Sequence, residues 1–268
     1  METKRIKKVL MCSPSHYSIS YSINPWMKVG SADSNLAKNQ WENLVCLYKS
    51  LGISVGIVDQ KKGLPDMVFA ADQGIVYENR VIISNFAYRQ RKNERLPYLK
   101  WYEKNNYSVE FLPKNVYFEG SGESIFFKNF LFVGSGFRTK KEAVPHLEKL
   151  LGIEVVPLEL IDPYFYHLDV ALLPINSKTA FYYKKAFSRQ SLAILKNRIA
   201  NLIPLTQKDA KNFVANSVVT DHCVVVQKGV SLEFKKTLSD LGYKALEVDL
   251  SEFIKSGGAA HCLTGVLE

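Results

Sequence analysis

The residues best suited to chemistry lie at the end of the chain, in Ser256-Gly-Gly-Ala-Ala-His-Cys-Leu-Thr264, where two glycines precede His261 and Cys262. Adjacent glycines let backbone approach a ligand closely, so this loop is a natural seat for a nucleophilic thiol. A Cys near a C-terminus serves as readily as a small buried hydrophobe, so the other residues must decide. Pro65-Asp-Met-Val-Phe-Ala-Ala-Asp72 carries two aspartates about a strand's length apart. Tyr117-Phe-Glu119-Gly-Ser-Gly-Glu123 sets a carboxylate in a glycine-rich turn, and Tyr166-His167-Leu-Asp169 puts His167 and Asp169 on one face of an extended segment. Singly, Asp66 reads as a turn residue, Glu123 as surface and His167 as a core histidine. Together, a thiol, a histidine and several carboxylates suit a planar cation, because carboxylates grip a guanidinium through paired charge-assisted hydrogen bonds. A thiolate could attack the carbon so held, while a histidine protonates the departing amine and later activates water.

The intervening sequence repeats one rhythm of strands, helix and strand about five times. In the first unit Lys7–Cys12 is an apolar strand and residues 13–34 are a loop. Asn35 caps a helix with Leu36, Leu44, Leu47, Tyr48 and Leu51 at helical spacing, and Ile53–Val58 is a strand. The second predicts strands at Met67–Ala71, Gly74–Tyr77 and Arg80–Ser84 with a turn at Glu78-Asn79, a helix over Leu96–Asn106 and a strand at Ser108–Leu112. The third pairs Ser124–Phe127 with Phe130–Val133 through Lys128-Asn129, then a helix Lys140–Leu151 and a strand Ile153–Leu158. The fourth has Val170–Pro174, Thr179–Tyr183, a helix Arg189–Ala200 and Leu202–Leu205. The fifth has Ser217–Thr220, Cys223–Gln227, a helix Leu232–Leu241 and Lys244–Val248.

Leu51-Gly52-Ile53, Leu151-Gly152-Ile153 and Leu241-Gly242-Tyr243 mark the same helix exit three times. Such a unit cannot bury its apolar faces alone. The expected architecture is therefore one α/β domain over residues 1–268, a closed ring of five ββαβ-type units with the site on its axis.

The 268 residues are 47% hydrophobic, enough for a large core, and the four cysteines (Cys12, Cys46, Cys223, Cys262) show no metal-ligand or disulfide spacing. No apolar run suits a signal peptide or a membrane span, so a soluble cytoplasmic protein is expected. The net charge of +9 raises nucleic acid as a partner. Its lysines are scattered in short pairs such as Lys184-Lys185 and Lys235-Lys236, without an RNA- or DNA-binding motif, so a small anionic group on the substrate accounts for the charge equally well.

Phe69-Ala-Ala-Asp72, Phe118-Glu119-Gly-Ser-Gly-Glu123, Gly136-Phe-Arg138-Thr139, His167-Leu-Asp169 and the Cys262 loop, in that order, resemble the guanidine-modifying, or pentein, superfamily. That superfamily includes arginine deiminases, dimethylarginine dimethylaminohydrolases, arginine dihydrolases and amidinotransferases. The resemblance implies a five-bladed pseudo-symmetric α/β propeller and a cofactor-free, metal-free hydrolase converting arginine or an N-methylated arginine to citrulline through a cysteine-bound thiouronium. It implies that Cys262 is the nucleophile, His167 the general acid and base, and Glu119 the carboxylate touching both that histidine and the guanidinium. Asp72 and Asp169 would hold the substrate nitrogens, Arg138 and Arg91 its α-carboxylate, and Asn24 would be a further contact. Two departures leave the branch open. Glu123 stands one residue late in the glycine turn, and Asp72 replaces the Asn of the dihydrolases. Amidino transfer to an amine and a non-catalytic ligand-binding ring remain alternatives, as does assembly into a homo-oligomer.

Overall fold

Runs of Val, Ile, Leu and Phe, broken by short turns, fold into five three-stranded sheets that share one design. The computed structural model describes residues 6–267; the start of the basic run that opens the chain, residues 1–5, lies outside them. The first unit holds β1 (Lys8–Cys12), α1 (Ser34–Ser50) and β2 (Ser54–Val58); the second holds β3 (Gly74–Tyr77), β4 (Arg80–Ile83), α2 (Arg95–Lys104) and β5 (Ser108–Glu110). The third comprises β6 (Ser124–Phe127), β7 (Phe130–Ser135), α3 (Ala143–Leu151) and β8 (Glu154–Glu159). The fourth comprises β9 (Leu172–Pro174), β10 (Thr179–Tyr182), α4 (Arg189–Arg198) and β11 (Asn201–Pro204). The fifth comprises α5 (Gln207–Lys211), β12 (Val218–Val219), β13 (Cys223–Gln227), α6 (Leu232–Asp240) and β14 (Lys244–Val248), and the chain ends through α7 (Ser251–Ile254) and β15 (Gly265–Val266).

In every sheet the middle strand has an antiparallel partner on one side and a parallel partner on the other. The parallel partner always follows a helix, as it must, since a tight turn cannot return a chain in parallel. The first sheet obtains its antiparallel strand from the far end of the chain: β15 pairs with β1, Val9 opposite Val266. The five-unit α/β architecture expected from the repeat is thus present, with the last strand completing the first unit.

Glycines Gly52, Gly152 and Gly242 take φ of +75°, +70° and +85° at the helix exits, conformations that cost a Cβ-bearing residue and leave glycine unstrained. Between helices and sheets the buried apolar residues form three clusters among the described residues, and in the largest Leu44, Tyr48, Phe132, Leu168, Phe187 and Phe253 are fully enclosed.

Four local expectations are corrected. Asp33, not Asn35, caps α1: its extended backbone lets the carboxylate accept from the Asn35 and Leu36 amides, leaving Asn35 inside the first turn. Met67–Ala71 is not a strand but part of two consecutive 3-10 turns, Pro65–Val68 and Ala70–Gln73, with Pro65 fixing the entry of the first. Asp169 sits in a 3-10 turn, Leu168–Val170, closed by the Ala171 amide on Leu168, so it does not share an extended segment with His167. Glu123 is fully buried, not surface. The short α5, α7 and β15 have too few residues to carry a readable period.

Candidate active site

The shared design also repeats at a finer level. Just before the antiparallel strand of each sheet the chain makes a tight turn, and that turn carries a polar side chain. Asp72 precedes β3, Glu119 and Glu123 precede β6, His167 and Asp169 precede β9, Asn216 precedes β12 and Cys262 precedes β15. One ligand atom each from Asp72, Asp169 and Cys262 lies within 4.8 Å of the others. Two carboxylates and a thiol so close together draw in a positively charged group.

Cys262 is held from several sides. Its Sγ donates to Asp169 Oδ2 at 3.0 Å and accepts from Asn216 Nδ2 at 3.1 Å, and its carbonyl accepts from the Ala71 amide at 3.1 Å. That last bond ties the Cys262 loop to the turn bearing Asp72. Both glycines of the loop are needed: Gly257 has φ of +90°, and a Cβ on Gly258 would come 2.6 Å from the Phe69 ring. Tyr166 Oη binds the Gly257 carbonyl and Asn24 Nδ2 the Ser256 carbonyl, each at 2.9 Å. Burial, then the carboxylates of Asp169 and Asp72, pushes the thiol far above the ordinary range. Alone in this pocket the sulfur stays protonated.

His167 Nε2 meets Glu119 Oε2 at 2.9 Å, while Nδ1 faces Asp72 Oδ1 at 3.7 Å and has no hydrogen-bond partner. With Nε2–H held by a carboxylate, Nδ1 is the atom available to exchange a proton. Burial alone would raise the Glu119 carboxyl, but Arg138, His167 and Arg91 outweigh it and bring it to about 2. Asp169 goes the other way, raised by burial and by Asp72.

Of the remaining expected residues, Arg138 lies between the rings of Tyr88 and Tyr166 and donates to Glu119 Oε2 at 3.2 Å. Arg91 donates to Asp72 Oδ2 at 2.8 Å and pairs with Glu94. Both guanidinium groups therefore face inward onto the acids. Asn24 spends its amide on the backbone of Ser256 and Trp26. It braces the loop before α1 against the Cys262 loop. The structure thus gathers Cys262, His167, Glu119, Asp72, Asp169, Arg91 and Arg138 in one buried cluster, with Asn24 on its border.

The family model described as N,N dimethylarginine dimethylhydrolase, eukaryotic, matches residues 20–267. The chain belongs to this family. As a dimethylarginine dimethylhydrolase family member it is 35% identical over 98% of its length to the N(G),N(G)-dimethylarginine dimethylaminohydrolase of Mycobacterium tuberculosis, covering 86% of that protein. It is 39% identical over 98% of its length to the bifunctional arginine dihydrolase/ornithine cyclodeaminase AgrE of Nostoc, but spans only 38% of that longer chain. The crystal structure of the N-terminal domain of ArgZ, an arginine dihydrolase from cyanobacteria, superimposes with a TM-score of 0.93 at 37% identity, 96% of each chain being covered. The family fold is therefore the five-unit α/β propeller expected from the repeat.

Sequence reading missed Asn216 and Glu94 in this dimethylarginine dimethylhydrolase family site and, taken singly, placed Glu123 on the surface. Glu123 accepts from the Thr139 amide at 3.2 Å, and Oε2 has no partner. Burial and Glu119 raise its carboxyl well above the usual range. Gly122 packs directly against two of these groups: a Cβ there would run into Asp72 Oδ1 and stand 2.9 Å from His167 Nδ1. Gly122→Ala is expected to fold with a lowered thermal midpoint, since the buried Cβ must displace Asp72, and to lose about a hundredfold in kcat/KM, the effect of displacing groups in a site by about 1 Å. Turnover within threefold of wild type would show that neither group needs its observed position.

Proposed function

We propose that the chain is a hydrolase of the guanidinium C–N bond, acting on arginine through a thiouronium on Cys262. One observation carries the reading. Asp72 Oδ1, Glu119 Oε1, Asp169 Oδ1 and His167 Nδ1 are buried without hydrogen-bond partners, and they come from the turns of three different units. Buried acceptors left unpaired are costly. A guanidinium presents N–H donors in a fixed planar fork and satisfies several acceptors at once.

The steps follow from the atoms present. The cation between Asp72 and Asp169 lowers the cost of ionising Cys262, whose proton is taken up at His167 Nδ1, and the thiolate attacks the guanidinium carbon, forming C–S. His167 Nδ1 gives a proton to the leaving nitrogen as C–N breaks, and ammonia departs. Water then adds to the thiouronium, one of its protons passing to Nδ1, and C–S breaks as the remaining hydroxyl proton passes to sulfur, leaving citrulline and the free thiol. Glu119 holds Nε2–H throughout. We assign Arg138 and Arg91 to charge balance at the acids and to the α-carboxylate of the substrate.

The relatives' names divide between arginine and dimethylarginine. Carboxylates on both sides of the cation favour arginine itself, whose terminal nitrogens keep all their N–H groups, whereas methylation replaces donors with apolar surface beside a buried acid. Among the described residues no helix is long and apolar enough to cross a membrane. All four cysteines are free, which suits a reducing cytoplasm. The test is product analysis with arginine and with asymmetric dimethylarginine, measuring citrulline, ornithine, ammonia and dimethylamine. Arginine is expected to give citrulline with kcat/KM at least about tenfold above the methylated substrate, the discrimination that a lost hydrogen bond provides. Release of product only when an acceptor amine is supplied would replace hydrolysis with amidino transfer, and no product from any guanidine would overturn the reading.

A further inference from the structure

The repeat supplies the argument for one more residue. Four of the five turns that precede an antiparallel strand bear the groups proposed above, and the fifth bears Asn216, two residues before β12. Its side chain is fully buried and all its polar capacity converges on the nucleophile. Oδ1 accepts from the amides of Ala259 at 2.8 Å and Cys262 at 3.1 Å; Nδ2 donates to Asp169 Oδ2 at 2.8 Å and reaches Sγ at 3.1 Å. Its backbone carbonyl takes the His261 amide at 3.1 Å. The orientation of the amide is fixed by chemistry, because two backbone N–H groups can only donate and so must face the oxygen.

We propose that Asn216 is a catalytic residue of the fifth unit, whose amide N–H stabilises the Cys262 sulfur as the attacking anion. The inference rests on the guanidine-hydrolase reading of the same site. In the resting thiol, S–H points at Asp169 Oδ2. Once that proton leaves, sulfur becomes an acceptor with Asp169 and Asp72 as neighbouring acids, and Asn216 Nδ2 is a donor already aimed at it. Tyr166 also borders the sulfur and carries a phenol raised by burial, while the neighbouring His261 turns its ring to the Ser121 carbonyl and is held below its ordinary range by burial. Neither brings a positive charge at neutral pH. A neutral donor suits this position better than Lys or Arg would, since a fixed cation would occupy Asp169 and repel the substrate. Loop bracing alone would need only Oδ1, and the bond to Asp169 alone does not require Nδ2 to stand 3.1 Å from sulfur as well.

Asn216→Asp separates the two roles, keeping an acceptor for both amides while replacing the donor with a second acceptor. Asn216→Ala removes both. The readout is the pH midpoint of iodoacetamide alkylation at Cys262, followed by peptide-resolved mass spectrometry because Cys46 is exposed and will react too. The midpoint reports ionisation, whereas loop opening changes the plateau rate. We expect it to rise by about one pH unit in Asn216→Ala, equivalent to about a tenfold smaller thiolate fraction, and further in Asn216→Asp. With arginine, kcat should fall by about a hundredfold while KM stays within about threefold. Unchanged midpoints in whichever variant folds would overturn the proposal. Should neither fold, the Asn216 side-chain amide resonance in wild-type protein must move when Cys262 ionises; a static resonance refutes it. A wild-type protein inert towards every guanidine would sink the hydrolase reading alone, since the alkylation midpoints need no turnover.

Discussion

Cys262→Ser is expected to fold, to bind arginine and to lose turnover by about 10^4 or more. The substitution changes one atom in a place that otherwise accepts it. A serine hydroxyl can still donate to Asp169 and accept from Asn216, so the loop of two glycines keeps its anchors. What disappears is an atom that can carry negative charge at accessible cost. Even the thiol is pushed up here by burial and two acids, and a hydroxyl begins many units higher. Wild-type protein quenched during turnover should carry the added mass of arginine less ammonia on the peptide containing Cys262, and the serine variant none. Calorimetry with arginine should show binding by the variant, separating loss of chemistry from loss of the site. Retention of even a tenth of the wild-type rate would mean that sulfur is not the attacking atom.

The parts of this molecule readable from sequence are those set by short-range chemistry. Helix exits at Gly52, Gly152 and Gly242 were legible because a left-handed exit strongly favours glycine. The tight turns at Glu78-Asn79 and Lys128-Asn129 were legible from the strands around them, even though Glu78 and Lys128 both take positive φ. Failures came where distant chain decides. Met67-Val-Phe has strand composition, but the segment must turn twice to aim Asp72, and the Ala71 amide is held by Cys262, far away in the chain. The tail strand has two residues, too few to show a period, and exists only because β1 lacks its other neighbour. Asn216 lies in Val214-Ala-Asn-Ser-Val-Val219, which reads as ordinary strand; its partners are 43 to 47 residues away. A signal was nevertheless present. Aligning the five units on their antiparallel strands puts Asp72, Asp169, Asn216 and Cys262 two or three positions before the strand begins.

The second large effect concerns protons. Arginine binding is expected to release about one proton per site near neutral pH and to tighten as pH rises, approaching tenfold per pH unit for a full proton. Burial, with Asp72 beside it, holds the Asp169 carboxyl well up; burial holds Asp66 up and takes Glu94 to about 7 despite Arg91. A cation placed among these acids favours their charged forms, so binding must expel what they carry. For the empty protein the sign is the same. A carboxyl whose folded value is raised contributes stability in full below its unfolded value and loses it as pH climbs through the folded one, a window from 4.5 to about 7 for Glu94. Glu119, lowered to about 2, contributes in full above 4.5 and only loses that contribution as pH falls towards 2, so it is constant across neutrality. His261, lowered by burial, opposes the raised carboxyls below its ordinary 6.5. The clean comparison therefore runs from pH 6.5 to 8, where the empty Cys262→Ser protein should lose thermal stability and saturating arginine should recover it. Titration of that variant in two buffers of different ionisation enthalpy counts the protons directly. Proton uptake, or affinity flat with pH, would mean that the acids are already charged before the cation arrives, and that the substrate does not set the ionisation of its own site.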